Sequence, residues 1–151
     1  MKRLILLALM VSLLAACGPA TVQTPFPTLL PTLTSEWTVK LAQSGGIMGM
    51  LQVIEVSSDG KFRATDERAQ KTVQGQLSAS DLSHLKGLVA DALKINSAMP
   101  QNGCMDCFIF TVEITESGKP VQSEVNELGL PNSGLEPLVS FLQEAMKKAL
   151  K

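Results

Sequence analysis

Val73-Gln74-Gly75-Gln76-Leu77-Ser78-Ala79-Ser80-Asp81-Leu82-Ser83-His84-Leu85 is where this chain changes period. Up to Leu77 the repeat is two, with Val73, Gly75 and Leu77 on one face, as in a half-buried strand. From Ser80 the repeat becomes helical. Leu82, Leu85, Val89, Ala92 and Leu93 fall on one stripe, Ser80 is the expected N-cap, and the helix should end near Ile95-Asn96.

On the N-terminal side of that switch, Trp37, Val39 and Leu41 alternate with Thr38, Lys40 and Ala42, a strand with one buried face. Gly45-Gly46 reads as a turn and Met50 to Val56 as a second strand. Leu51 and Val53 would face one way there and Ile54 and Val56 the other, so a bulge or burial on both faces is expected. Ser58-Asp59-Gly60 signals a hairpin, after which Phe62 and Ala64 alternate with Lys61, Arg63 and Thr65. A charged loop, Asp66 to Gln70, leads into Thr72 to Leu77.

On the C-terminal side, Pro100 and Gly103 punctuate a loop. Phe108, Phe110, Val112 and Ile114 then alternate, Ser117-Gly118 turns the chain, and Val121, Ser123 and Val125 answer in a further strand. Leu135, Leu138, Val139, Leu142, Ala145, Met146 and Ala149 form a second amphipathic stripe, with Lys147, Lys148 and Lys151 near its electronegative end. The order is ββββαββα. It predicts an α+β fold, an antiparallel sheet of about six strands with two amphipathic helices packed on one face.

The chain ahead of Trp37 has a different character. Lys2-Arg3 precedes eleven residues, Leu4 to Leu14, that are apolar except Ser12, the pattern of a secretory signal and too short to span a bilayer as a mature helix. Leu14-Ala15-Ala16-Cys17, followed by Gly18, resembles the lipobox of bacterial lipoproteins. That resemblance implies removal of residues 1–16 and lipidation of Cys17. Two or more acyl chains would make a stable membrane anchor. The protein would then stand on the extracytoplasmic face of the cell membrane, or in the periplasm of a cell with two membranes. Residues 17–35 hold four of the eight prolines and five threonines, and read as an extended tether. Residues 36–151, 116 in number, suffice for a single domain with its own core. Without Lys2 and Arg3 the chain has 11 basic and 14 acidic residues, a balance that argues against a nucleic-acid partner.

Catalytic signatures are missing from the sequence. There is one histidine and no tyrosine, no Gly-x-Ser-x-Gly elbow, no phosphate-binding glycine loop and no histidine pair at metal spacing. His84 sits on the flank of the first helix, about 110° from the centre of its stripe, where a solvated role is expected. Neither an enzyme nor a cofactor is expected. Cys104-Met105-Asp106-Cys107 admits three readings: a short disulfide clipping a loop to the following strand, part of a metal site, or a redox pair. A zinc site would need more ligands than are at hand, and a thioredoxin-like motif would open a helix rather than a strand. With Cys17 lipidated, this pair is even in number and suited to oxidation.

Ser44-Gly45-Gly46-Ile47-Met48-Gly49 resembles the opening of emfourin-like proteins, small proteinaceous inhibitors of thermolysin-type metalloproteases. The likeness extends to Leu77-Ser78-Ala79-Ser80-Asp81-Leu82, the Asp106-Cys107-Phe108-Ile109-Phe110 strand, Leu130-Pro131 and the closing helix from Leu135. The chain departs from that pattern in its lipobox, its tether and its cysteine pair. The resemblance implies a protein-binding module that presents Gly45, Gly46, Ile47, Met48 and Gly49, with the Asn102 to Cys107 loop, to a secreted metalloprotease. Glycine permits positive φ and close backbone approach, which suits a protruding loop; it also suits a plain turn. The alternatives are an envelope lipoprotein that binds another surface protein or wall component as a scaffold, and a thiol-disulfide protein using Cys104 and Cys107.

Overall fold

The computed structural model describes residues 36–95 and 104–151. Residues 1–35 and 96–103 lie outside them, and with them the signal segment, Cys17, the tether, Pro100, Asn102 and Gly103. Six strands are present: β1 (Trp37–Gly45), β2 (Met50–Ser57), β3 (Lys61–Asp66), β4 (Lys71–Gln76), β5 (Phe108–Glu116) and β6 (Lys119–Asn126). They form one antiparallel sheet in the order β4-β3-β2-β1-β5-β6. Helix α1 (Ala79–Ala92) follows β4, and α2 (Glu136–Leu150) follows β6 after a short 3-10 turn, Leu130–Asn132. The expected ββββαββα order is the observed one.

Alternation decides which face each strand buries. Trp37, Val39 and Leu41 of β1, Ile54 and Val56 of β2, and Phe110, Val112 and Ile114 of β5 point inward and are buried. Leu85 and Val89 of α1 and Leu138, Val139, Leu142 and Met146 of α2 complete the same core. Both helices therefore cover one face, and among the described residues no element covers the other. Each fully buried Leu, Ile or Val contributes about 1.5–3 kcal/mol relative to exposure, so β1, β2 and β5 carry most of the sheet's share. Among the described residues no helix is long and apolar enough to cross a membrane.

Two local expectations are corrected. Strand β2 has no bulge, for its register against β1 runs unbroken from Ser57 to Met50. Leu51 and Val53 simply lie on the open face, where Leu51 is exposed. The N-cap of α1 is Ser78, not Ser80. Ser78 is extended (φ −63°, ψ 158°) and its Oγ accepts from the Asp81 backbone N–H at 3.1 Å. Ser80 is already inside the helix, which ends at Ala92 with Leu93 as its C-cap. Gly75 takes the place of a side chain on β4 because the Phe62 ring lies over it.

Candidate functional site

Strand β1 runs from the chain entry at Glu36 to Gly45, nine residues or about 27 Å of rise from Trp37. The β1–β2 turn therefore sits at the pole opposite the entry. Its backbone is built on positive φ at Gly45 (98°), Gly46 (70°) and Gly49 (58°), and the Gly49 N–H donates to the Gly46 carbonyl at 3.0 Å. The glycines serve different ends. A Cβ at Gly45 would collide with the Cys107 carbonyl oxygen, and one at Gly46 would stand 2.8 Å from the Phe108 ring. At Gly49 a Cβ would meet nothing within 4 Å. So Gly45 and Gly46 allow contact with the strand beside them, and Gly49 only turns the chain.

That contact brings together the two motifs the sequence singled out. Gly45 pairs with Phe108 at the start of β5, and the Gly46 N–H donates to the Cys107 carbonyl at 3.4 Å. Cys107 is bonded to Cys104, with their Cα atoms 5.5 Å apart. The bridge closes a tight ring beside the hairpin, and Cys107 is buried there. Three further bonds fix the pole. Arg68 of the β3–β4 turn donates from Nη1 to the Met48 carbonyl at 3.0 Å. The Phe108 N–H donates to Glu127 Oε2 at 3.1 Å, and the Glu127 N–H returns a bond to the Phe108 carbonyl at 3.0 Å.

On this braced frame stand side chains that water does not favour. Ile47 is 90%, Met48 70%, Met105 99% and Leu128 65% exposed. Leu51 and Ile109 continue the patch onto the open face of the sheet. Of the seven large hydrophobics exposed among the described residues, only Val121 lies elsewhere. Large apolar side chains are thus concentrated at one end of the sheet rather than scattered singly over the surface. Ile47 and Met48 were expected here. Met105 lies in the Asn102 to Cys107 loop, also expected here, whereas Leu128 was not singled out, because it belongs to no periodic pattern and only the β1–β5 and β5–β6 pairings bring it to this end.

Asp66 accepts from the Ala69 N–H (2.8 Å) and Gln52 Nε2 (2.7 Å), which hold its carboxyl below the usual carboxylate range. Asp59 is pulled down more strongly, first by Lys61 Nζ at 2.7 Å and then by Ser57 Oγ. Each closes a turn. His84 is exposed, with its ring edge-on to Phe141 at 5.4 Å. A depression of about 420 Å³ between α2 and the sheet is lined by Gln43, Gln52, Asp66, Gln143 and Lys147, with Lys151 just past the end of α2, and Gln143 Nε2 donates to Gln43 Oε1 across its floor. Among the described residues no three histidine, cysteine or carboxylate side chains converge as a metal site. Compared with known proteins, the chain matches no family model and no curated sequence.

Proposed function

We propose that this protein is a lipid-anchored, extracytoplasmic binding module that engages a partner protein through the apolar pole around Ile47 and Met48, and that the partner is a secreted metalloprotease of the thermolysin type. The observation that carries the binding role is the pole itself: a glycine hairpin braced by the Cys104–Cys107 ring, with Ile47, Met48, Met105 and Leu128 turned outward. A loop already fixed in shape loses little freedom on docking, which is what occlusion of a protease cleft requires. The chain entry at Glu36 lies at the other end of β1. A tether attached there leaves the pole free to meet a partner. The protease reading rests on the likeness of Ser44 to Gly49 to emfourin-like inhibitors.

Two measurements test the proposal. Mass spectrometry of the mature protein should find Cys17 as a diacylglyceryl-bearing N-terminus; an unmodified Cys17 removes the anchor. Titration into thermolysin-type proteases should reduce their activity, and Ile47→Asp should abolish the effect. Unchanged protease activity at micromolar excess refutes the protease reading. A photoreactive group at Met48 that captures no protein on intact cells refutes the pole as a binding surface.

A further inference from the structure

The open face of the sheet carries a charge pattern that the pole does not use. One row of outward side chains crosses all six strands: Gln74, Arg63, Glu55, Lys40, Glu113 and Gln122, each opposite the next in register. The four central members alternate in sign, plus, minus, plus, minus. They are centred on the seam between β2 and β1, which is also the midline of the six-stranded sheet. Reading the row from its other end inverts every sign.

Such a row attracts its own copy about one twofold axis and repels it about another. With the axis along the β1–β2 seam, parallel to the strands, Arg63 faces Glu113 of a second copy and Glu55 faces its Lys40. With the axis across the strands, every charge faces its own sign, which costs affinity. The neighbouring rows agree with the first arrangement. Val53 would face Ala42, Thr65 would face Thr111 and Ser57 would face Thr38, all small enough for close approach. Of the other charged residues within the strands on this face, Glu124 and Lys61 would face Thr72 and Thr115 rather than a like charge, and Lys61 is itself paired with Asp59 at 2.7 Å.

The geometry points to a homodimer in which two copies stack their open sheet faces, strands running the same way, about a twofold axis along the β1–β2 seam. Sheets packed face to face with strands aligned within about 30° are an ordinary sandwich arrangement. Six strands about 4.8 Å apart and three to four side-chain rows give about 1,100 Å² buried in total, near the lower bound for a specific interface. The dimer is therefore weak, and salt screens it. Arg63 and Glu113 each have one opposite-sign register neighbour in their own sheet, Glu55 and Lys40 two, and each charge gains one more across the interface, which offsets part of its desolvation. The axis also leaves both Glu36 ends at one pole and both hairpins at the other, so two copies tethered to one surface pair without strain.

Arg63 and Glu113 give the decisive test. Within one copy they stand on β3 and β5, three strand spacings or about 14 Å apart, so neither compensates the other. Sedimentation equilibrium of the full mature chain in density-matched detergent should show a monomer–dimer equilibrium that shifts to monomer at high salt. Arg63→Glu or Glu113→Arg alone should weaken it about tenfold or more, and the double exchange should restore it. In wild type, mixed isotopically labelled and unlabelled protein treated with a zero-length carbodiimide should yield Lys40–Glu55 links between copies. A wild type that stays monomeric at low salt, a double exchange no better than the singles, or Lys40–Glu55 links confined to single copies would each overturn the dimer.

Discussion

Replacing Gly45 by alanine adds one methyl group where the fold has no room for it. Gly45 holds φ at 98°, and its Cβ would collide with the Cys107 carbonyl oxygen. A left-handed conformation costs an L-residue roughly 1–2 kcal/mol. Pushing the Cys107 carbonyl away also weakens its hydrogen bond from the Gly46 N–H, worth about 0.5–1.5 kcal/mol. The sum is about 1.5–3.5 kcal/mol, a large part of the stability of an ordinary domain. Gly49→Ala is the matched control. Its φ of 58° carries the conformational cost of about 1 kcal/mol, but its Cβ meets nothing within 4 Å. Urea unfolding followed by Trp37 fluorescence measures both. Trp37 is the single tryptophan, is buried, and lies at the far end of β1 from the change. Gly45→Ala should lower the midpoint by about 2 M at a typical m-value for this size, and Gly49→Ala by less than half as much. In a Cys104→Ser/Cys107→Ser background the cost of Gly45→Ala should shrink, since the freed loop can retreat. Equal costs at the two glycines would refute the close packing of hairpin and ring.

Three further outcomes are expected. Opening the ring by Cys104→Ser/Cys107→Ser should cost about 2 kcal/mol or less by the loop-entropy relation for so short a ring, and Ellman titration of the untreated wild type should find no free thiol at these two positions. Ser78→Ala should cost about 1 kcal/mol through loss of the cap to Asp81, and Ser80→Ala close to nothing; calorimetry of the two variants decides which serine caps the helix. Asp66 and Asp59 are held below their ordinary values by the bonds from Ala69 and Lys61, respectively. Their contributions are therefore in place above about pH 4 and are lost as pH falls through the folded values. Asp66→Asn should be less stable than wild type near neutrality and indistinguishable from it at strongly acid pH, measured as urea midpoints.

The element order was legible because each strand buries one face and each helix one stripe, so Trp37, Val39 and Leu41 or Leu138, Leu142 and Met146 announce themselves by spacing. Strand β2 misled because apolarity was equated with burial. Leu51 stands on the open face near the hairpin, where water reaches it. The cap was ambiguous because Ser78-Ala79-Ser80-Asp81 offers two hydroxyls; the spacing Ser-x-x-Asp, with Asp81 accepting back from Ser78 Oγ, selects the first. The hairpin glycines were readable as a loop. Their contact with Cys107 was not, since it follows from a β1–β5 pairing between residues far apart in the chain. The charge row on the open face has the same origin, four residues from four strands made neighbours only by register.

The central place of β1 has a kinetic consequence. Strands β1 to β4 are joined by successive hairpins, so each can zip onto its predecessor by local search on a microsecond scale. Strand β5 must instead return across α1 to reach the other edge of β1, closing a loop of more than sixty residues. Loop-closure entropy makes that docking the slow event. Until it happens, β1 exposes an unpaired edge of nine residues, and an unfinished chain is at its most vulnerable to sticking to another.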